Sequence, residues 1–286
     1  PPAGALPLLI SRYHVLPLII MTIFFGICVS RLGDEAKPII DWMNAMTKVC
    51  YKMVAYLMKL APLGLGAYFA DLTGTYGIEL LKTYGNAMLV FYSVVFLYFF
   101  LFLGFYAFLA AGPWGVRNFF KVILAPALTA LGTRSSAATI PLQMEACDKL
   151  GVPRDISSVV IAMGATCHMD GACIAMVYAE GLATTMFGVP LEGFAFLLAI
   201  FVGVTSSVAT SSVPGGGAAG ETMIVSVFSL PEAAFPILLM IVELFDPGCT
   251  LLNSCGDTVV SMLITRIFHG KDWYKQNLNP NQEAIE

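Results

Sequence analysis

The sequence predicts an all-α membrane protein in which two re-entrant helical hairpins form an inverted repeat. Three observations carry that expectation. Of the 286 residues, 58% are hydrophobic and 12% charged, with a mean hydropathy of +0.79. Soluble domains run to about a quarter charged, so a water-facing surface is under-supplied here. Long apolar runs recur along the chain, and a helix needs about 20 such residues to cross the hydrocarbon core. Two further apolar runs turn abruptly into Ser, Thr, Gly and Pro, where a lipid-facing helix would have to continue.

In chain order, residues Pro1-Pro2-Ala3-Gly4 supply neither an initiator Met nor a charged leader before a cleavage site, so the chain reads as starting partway through a larger protein. Spans are expected at Val15–Val29, Met53–Leu72 and Ala87–Ala110, with further hydrophobic stretches over Ile156–Met186 and Ala233–Ile267. Arg31, Lys37 and Lys48 follow the first span, and Arg117 and Lys121 the third. Lys149 and Arg154 precede the fourth, and Arg266, Lys271 and Lys275 follow the last. These basic ends fall on one side, which the positive-inside rule assigns to the cytoplasm. The expectation is a multi-pass cell-membrane protein whose polar tail, residues 269–286, is cytoplasmic.

The interrupted runs are Val122–Leu142, VILAPALTALGTRSSAATIPL, and Phe194–Gly220, FAFLLAIFVGVTSSVATSSVPGGGAAG. Non-helical backbone at membrane depth survives only where protein buries it or where it lines a cavity, so each run is expected to fold back with its Ser/Gly tip inside the protein. Hairpin and following span recur over 114–187 and 190–267. The first hairpin enters from the cytoplasm and the second from outside, which puts a binding site at the midplane between the tips.

Carboxylates inside a membrane are costly and mark function. Asp170 stands in ATCHMDGACIAM, and Asp246 and Asp257 stand in VELFDPGCTLLNSCGDTVVS, with Asn253 four residues before Asp257 and Thr250 close to the same stripe. Such oxygen donors suit small cations, with Gly171, Gly248 and Gly256 expected to permit local unwinding that frees carbonyls. Arg134 at the first tip is expected to hold a carboxylate, Asp246 being the candidate, or to face an aqueous vestibule. His168 titrates nearest physiological pH; a structural hydrogen bond and a part in ion or proton coupling are both open. Glu180 and Glu243 lie nearer span ends and are expected to be exposed. The seven cysteines show no zinc spacing and read as buried free thiols. No basic patch points to nucleic acid, and no nucleophile–base constellation points to an enzyme.

Four blocks, TRSSAATIP (133–141), HMDGA (168–172), SSVPGGGAAG (211–220) and DPGCTLLNSCGD (246–257), resemble the glutamate transporter family of dicarboxylate/amino acid:cation symporters. The resemblance implies an elevator-type homotrimer in membrane lipid, coupled to sodium or protons and needing no cofactor. The family has eight spans and two hairpins, of which this chain resembles the last five spans with both hairpins. Residues 1–72 then correspond to a partial scaffold of two spans, and 73–268 to the transport domain of span, hairpin, span, hairpin and span. Carried over by position, the substrate rests between Ser135-Ser136 and Val213 to Gly217. Asp246 takes its ammonium beside Thr250, and Asn253 its α-carboxylate. One sodium site uses Asn253, Asp257 and main chain around Gly164 and His168. A second uses carbonyls of Thr166 and Met169 with those of Ser207, Val208 and Thr210, and a third centres on Asp170.

Departures from the family pattern narrow the expectation. Cys249 stands where members taking acidic substrates place Arg, and Ala172 where they place Thr. A second substrate carboxylate would be desolvated there without a partner, so a small neutral amino acid is expected. Acidic amino acids or C4-dicarboxylates are the alternative, because Arg134 stands near. An anion-conducting channel and an inactive fragment are further alternatives. His168 replaces the family's Asn, which bears on the first and third sodium sites, and Pro247 is expected to kink the last span.

Overall fold

The computed structural model describes residues 15–58, 63, 66–67, 70, 74, 78–210 and 217–277. The chain divides into two units, Pro1–Ala70 and Asp71–Glu286. In the first unit, α1 (Val15–Leu32) leads through a 3-10 turn (Gly33–Ala36) into α2 (Lys37–Met58). Gly33, at φ +57°, supplies the left-handed residue that ends α1. The expected span Val15–Val29 falls within α1; of Met53–Leu72, the first residues end α2 and half lies outside the described residues.

The second unit begins with α3 (Ile78–Leu97), which passes through a π-helical segment (Tyr98–Leu103) into α4 (Gly104–Val122). The helix breaks at Ala111 and Gly112, where Gly112 takes φ +63°, and Pro113 opens the next helical stretch. Proline suits that place because a first-turn N–H has no intrahelical acceptor to lose. The expected span Ala87–Ala110 therefore stops at the break. Next come α5 (Leu124–Thr133), α6 (Ser136–Lys149), α7 (Arg154–Cys167) and α8 (Asp170–Met186). They are followed by α9 (Phe194–Thr210), α10 (Gly217–Val227), the 36-residue α11 (Ala234–His269) and the short α12 (Trp273–Asn277). Three described stretches, 82–122, 154–186 and 234–269, are long and apolar enough to cross a membrane, and α5 and α9 are shorter apolar helices.

The two interrupted runs each become a packed helix pair, α5 on α6 and α9 on α10. Between α5 and α6 the chain turns at Arg134, left-handed at φ 53°, and Ser135, which is extended and accepts the Ala138 N–H on its hydroxyl at 3.3 Å as the cap of α6. The turn between α9 and α10, residues 211–216, lies outside the described residues, and the expected contact Val213 with it.

Helix α11 is the core. It touches α3 to α8, α10 and α12, while α9 packs on α8 and α10. Its middle is enclosed on all sides: Phe245, Leu252, Cys255, Thr258 and Met262 have no exposed surface. Lipid tails are as apolar as leucine, so helices in a membrane associate through close packing of small residues and hydrogen bonds. The run GCTLLNSCGDT along α11 meets that requirement. Two of the glycines expected to unwind, Gly248 and Gly256, lie inside continuous helix, which also runs through Pro247. The unwinding falls instead at His168 and Met169, between α7 and α8, with Gly171 just inside α8. The glycines serve close approach: a Cβ on Gly171 would lie 2.5 Å from the Cys249 carbonyl oxygen, and one on Gly256 2.3 Å from the His168 ring.

Beyond α11, the polar tail begins with an anchor. Trp273 is fully buried, and its indole N–H donates to the Ala110 carbonyl at 3.1 Å. That carbonyl ends the helix at the Ala111–Gly112 break, and Tyr274 stacks on Trp114 at 4.3 Å just after it. Trp273→Ala is expected to cost about 3 kcal/mol or more of stability, and Trp273→Phe about 1 kcal/mol for the lost hydrogen bond. Thermal unfolding in detergent, followed by scanning fluorimetry, checks both.

Candidate functional site

Glu243, Asp246, Thr250, Asn253 and Asp257 follow one another along α11 at alternating steps of three and four residues, which places them on one helix face. Two polar clusters hang on this stripe.

The first gathers at the turn between α5 and α6. The Arg134 Nη1 forms an ion pair with Glu243 Oε1, and its Nε stands 3.8 Å from Asp246 Oδ2. Asp246 was the expected partner; Glu243 is the closer one, because a step of three residues puts both carboxylates over the same turn tip. Glu243 is therefore engaged rather than simply exposed. Of the neighbouring serines, Ser135 caps α6, and the Ser136 carbonyl accepts the Thr139 hydroxyl at 2.6 Å.

The second cluster gathers at the break between α7 and α8. Asn253, 6% exposed, accepts the Gly171 N–H on Oδ1 at 2.8 Å and directs Nδ2 to the Met169 sulfur at 3.5 Å. His168 directs Nδ1 at Asp257 Oδ1, 2.9 Å away, and Nε2 at Asp170 Oδ1, 3.2 Å away. The Tyr98 hydroxyl donates to the other Asp170 oxygen at 2.7 Å. A neutral imidazole has one donor and one acceptor nitrogen, so donation to both carboxylates takes the imidazolium. Asp257 is 1% exposed, and its Oδ2 is buried without a hydrogen-bond partner. A Cβ on Gly164 would lie 2.0 Å from Asp257 Oδ1, so the bare backbone of α7 is what lets this carboxylate approach. A groove of about 570 Å³, lined by residues including Ile156, Val160, Gly164 and Val260, reaches His168 and Asp257.

The structure thus brings Gly164, His168, Met169, Asp170, Asn253 and Asp257 together, and Arg134 with Asp246. The His168 N–H donates to the Gly164 carbonyl at 2.9 Å and the Cys173 N–H to the Met169 carbonyl at 2.8 Å, so each of these oxygens keeps one lone pair for another partner. Thr166 lies in the last turn of α7, and Ser207, Val208 and Thr210 in the last turn of α9. The thiol of Cys173 and the hydroxyl of Ser207 are 2.8 Å apart and link α8 to α9. Cys249 and Thr250 are buried on α11, Ala172 is half-buried on α8, and Gly217 opens α10.

Sequence reasoning missed Tyr98 and Glu221 and misplaced Glu180. Glu180 is fully buried rather than exposed, because α9 and α11 both cover its helix, and neither of its carboxylate oxygens has a hydrogen-bond partner. Glu221 on α10 is buried in the same way. The signal for Glu243 was present in its spacing from Asp246. Tyr98 stands in the apolar run LYFFLFL, where nothing local marks it. Among the described residues, no group of three or more His, Cys, Asp or Glu side chains has the arrangement of a metal centre.

Comparison with known proteins gives the kinship. The sequence profile of the sodium:dicarboxylate symporter family matches residues 6–267. The chain is 30% identical over 265 residues to neutral amino acid transporter B(0) of Homo sapiens, covering 89% of this chain and 48% of that protein. It is 29% identical over 253 residues to the Mus musculus protein of the same name, covering 87% and 45%. It is 28% identical over 250 residues to excitatory amino acid transporter 2 of Homo sapiens, covering 86% and 43%. The chain spans about half the length of the curated relatives it matches.

The contact that sets the second cluster is open to test. A methyl on Gly171 meets the Cys249 backbone, which cannot rotate away. Gly171→Ala is therefore expected to cost about 2–3 kcal/mol through overpacking, read as a lowered thermal midpoint. Cys249→Ala in the same background is expected not to rescue it, because the clash is with main chain.

Proposed function

The chain belongs to the sodium:dicarboxylate symporter family, and from that premise we propose that it works as a cation-coupled symporter of small neutral amino acids by alternating access. The observation that carries this reading is the single face of α11, which runs from the α5–α6 turn to the α7–α8 break and bears Asp246, Thr250, Asn253 and Asp257.

Asp246 takes the substrate ammonium beside Thr250, and Asn253 its α-carboxylate. The tip at Ser135-Ser136 and the second tip, from Val213 to Gly217, close over it. Cys249 and Ala172 offer a thiol and a methyl, so a second substrate carboxylate would enter desolvated and unpaired, at a cost of several kcal/mol. Coupling follows from oxygen donors. The orphaned Oδ2 of Asp257, with Asn253 and main chain around Gly164, suits a small hard cation, which offsets the cost of an unpaired buried carboxylate. Main-chain carbonyls of Thr166 and Met169, beside the α7–α8 break, join those of Ser207, Val208 and Thr210 at the end of α9 around a second cation, and Asp170 centres a third. His168 lies between Asp170 and Asp257, so its imidazolium competes with sodium for that space and ties coupling to protons as well.

Both helix pairs act as re-entrant hairpins, with α9–α10 as the outer gate that closes when cations bind at its end. Residues 73–268 move across the membrane as an elevator against a scaffold that includes residues 1–72. The working unit is a homotrimer in the cell membrane with the C-terminus cytoplasmic. A second reading, transport of acidic amino acids or C4-dicarboxylates, is favoured by the guanidinium of Arg134 at the tip.

Counterflow in proteoliposomes of the full-length protein decides between them. Labelled serine is expected to exchange at least about tenfold faster than labelled aspartate, the scale set by one unpaired charge in a pocket. The reverse order favours the second reading, and exchange of neither overturns both. His168→Asn is expected to shift the ion dependence toward sodium alone, measured with a sodium gradient and a proton gradient applied separately. An unchanged dependence removes His168 from coupling.

A further inference from the structure

We infer that Glu243 sets the charge of the substrate this site accepts, by holding the Arg134 guanidinium on the protein and away from the substrate. The inference rests on the symporter reading above and deepens it.

Arg134 is positioned by the backbone. It closes α5 in the left-handed region, φ 53° and ψ 36°, with its own N–H donating to the Ala130 carbonyl at 2.9 Å. The side chain therefore leaves the turn in a fixed direction beside Ser135 and Ser136, where it faces α11. Two carboxylates meet it there. Glu243 forms the direct hydrogen-bonded ion pair, and Asp246 stands off at 3.8 Å, beyond hydrogen-bond reach. All three side chains are about one-third exposed, so solvent does not fully screen the pair.

The charge arithmetic follows. One guanidinium faces two carboxylates, leaving a net single negative charge beside the tip. That balance suits an incoming ammonium at Asp246. A second substrate carboxylate finds the nearest guanidinium already engaged. With the charge of Glu243 removed, Arg134 balances Asp246 alone, and its planar fork is free to take a carboxylate from the substrate. Discrimination here works through a like charge held against the wrong ligand, in addition to the contacts offered to the right one.

The test is Glu243→Gln in the full-length protein, reconstituted for counterflow with labelled serine and labelled aspartate. The aspartate-to-serine ratio is expected to rise at least about tenfold, the scale of one charge-assisted hydrogen bond. The double variant Glu243→Gln with Arg134→Gln is expected to return the ratio to near its starting value, because the gain runs through the guanidinium. If E243Q does not insert stably, Glu243→Ala gives the same readout. A ratio that stays within about twofold while serine still exchanges overturns the role of Glu243 alone, being below one such contact. So does loss of serine exchange without a gain in aspartate. Absence of serine exchange in the unmodified protein overturns the symporter reading itself.

Discussion

The close approach of α11 to the broken helix α7–α8 is the constraint on which the rest depends. Gly164 and Gly171 on one side and Gly256 on the other remove the side chains that would hold the helices apart. The Gly171 N–H and the Met169 sulfur then come within reach of Asn253, and the His168 ring within reach of Asp257. A helix broken inside a membrane leaves backbone donors and acceptors that lipid does not satisfy. Here the Asn253 amide takes the Gly171 N–H, and the imidazole of His168 spans two carboxylates. Packing and chemistry are one feature: the residues that bridge the break are those that line the candidate site.

The same arrangement explains why so much charge is tolerated in a half-buried place. Isolated carboxylates in low dielectric are expensive, and paired ones are held only when geometry and further hydrogen bonds compensate. Arg134 stands against Glu243 and Asp246, and His168 against Asp170 and Asp257. Each cluster holds one more carboxylate than cationic groups, a balance that draws positive charge toward α11. Glu180 on α8 and Glu221 on α10 are also fully buried, with no hydrogen-bond partner for either carboxyl, and stand outside that charge balance.

Much of this was legible in the sequence, for definite reasons. Ser, Gly and Pro in apolar runs marked both interruptions, because lipid-facing helix tolerates neither loss of backbone bonds nor tight turns. The α5–α6 turn falls at Arg134-Ser135, inside the block TRSSAATIP. Asp170, Asp246 and Asp257 stood out because carboxylates inside apolar runs are rare. The role of the glycines was not legible. A glycine that lets a helix unwind and one that lets two helices touch look alike in one dimension, and only the partner helix separates them. Burial of Glu180 and Trp273 depended on elements distant in sequence, α9 and α11 for one and the Ala110–Pro113 break for the other. Glu243 was readable by its three-residue step to Asp246, but its nearness to a span end argued for exposure.

The central claim is that one face of α11 binds substrate and cation together. Titration calorimetry of serine into the purified full-length protein over a series of sodium and proton concentrations tests it most directly. Linkage predicts that serine affinity rises with the coupled cation, by up to about tenfold per tenfold change for each ion bound with the substrate, and that Asp257→Asn flattens the dependence. A serine affinity indifferent to both cations in the unmodified protein, or a dependence that survives Asp257→Asn intact, would contradict the account.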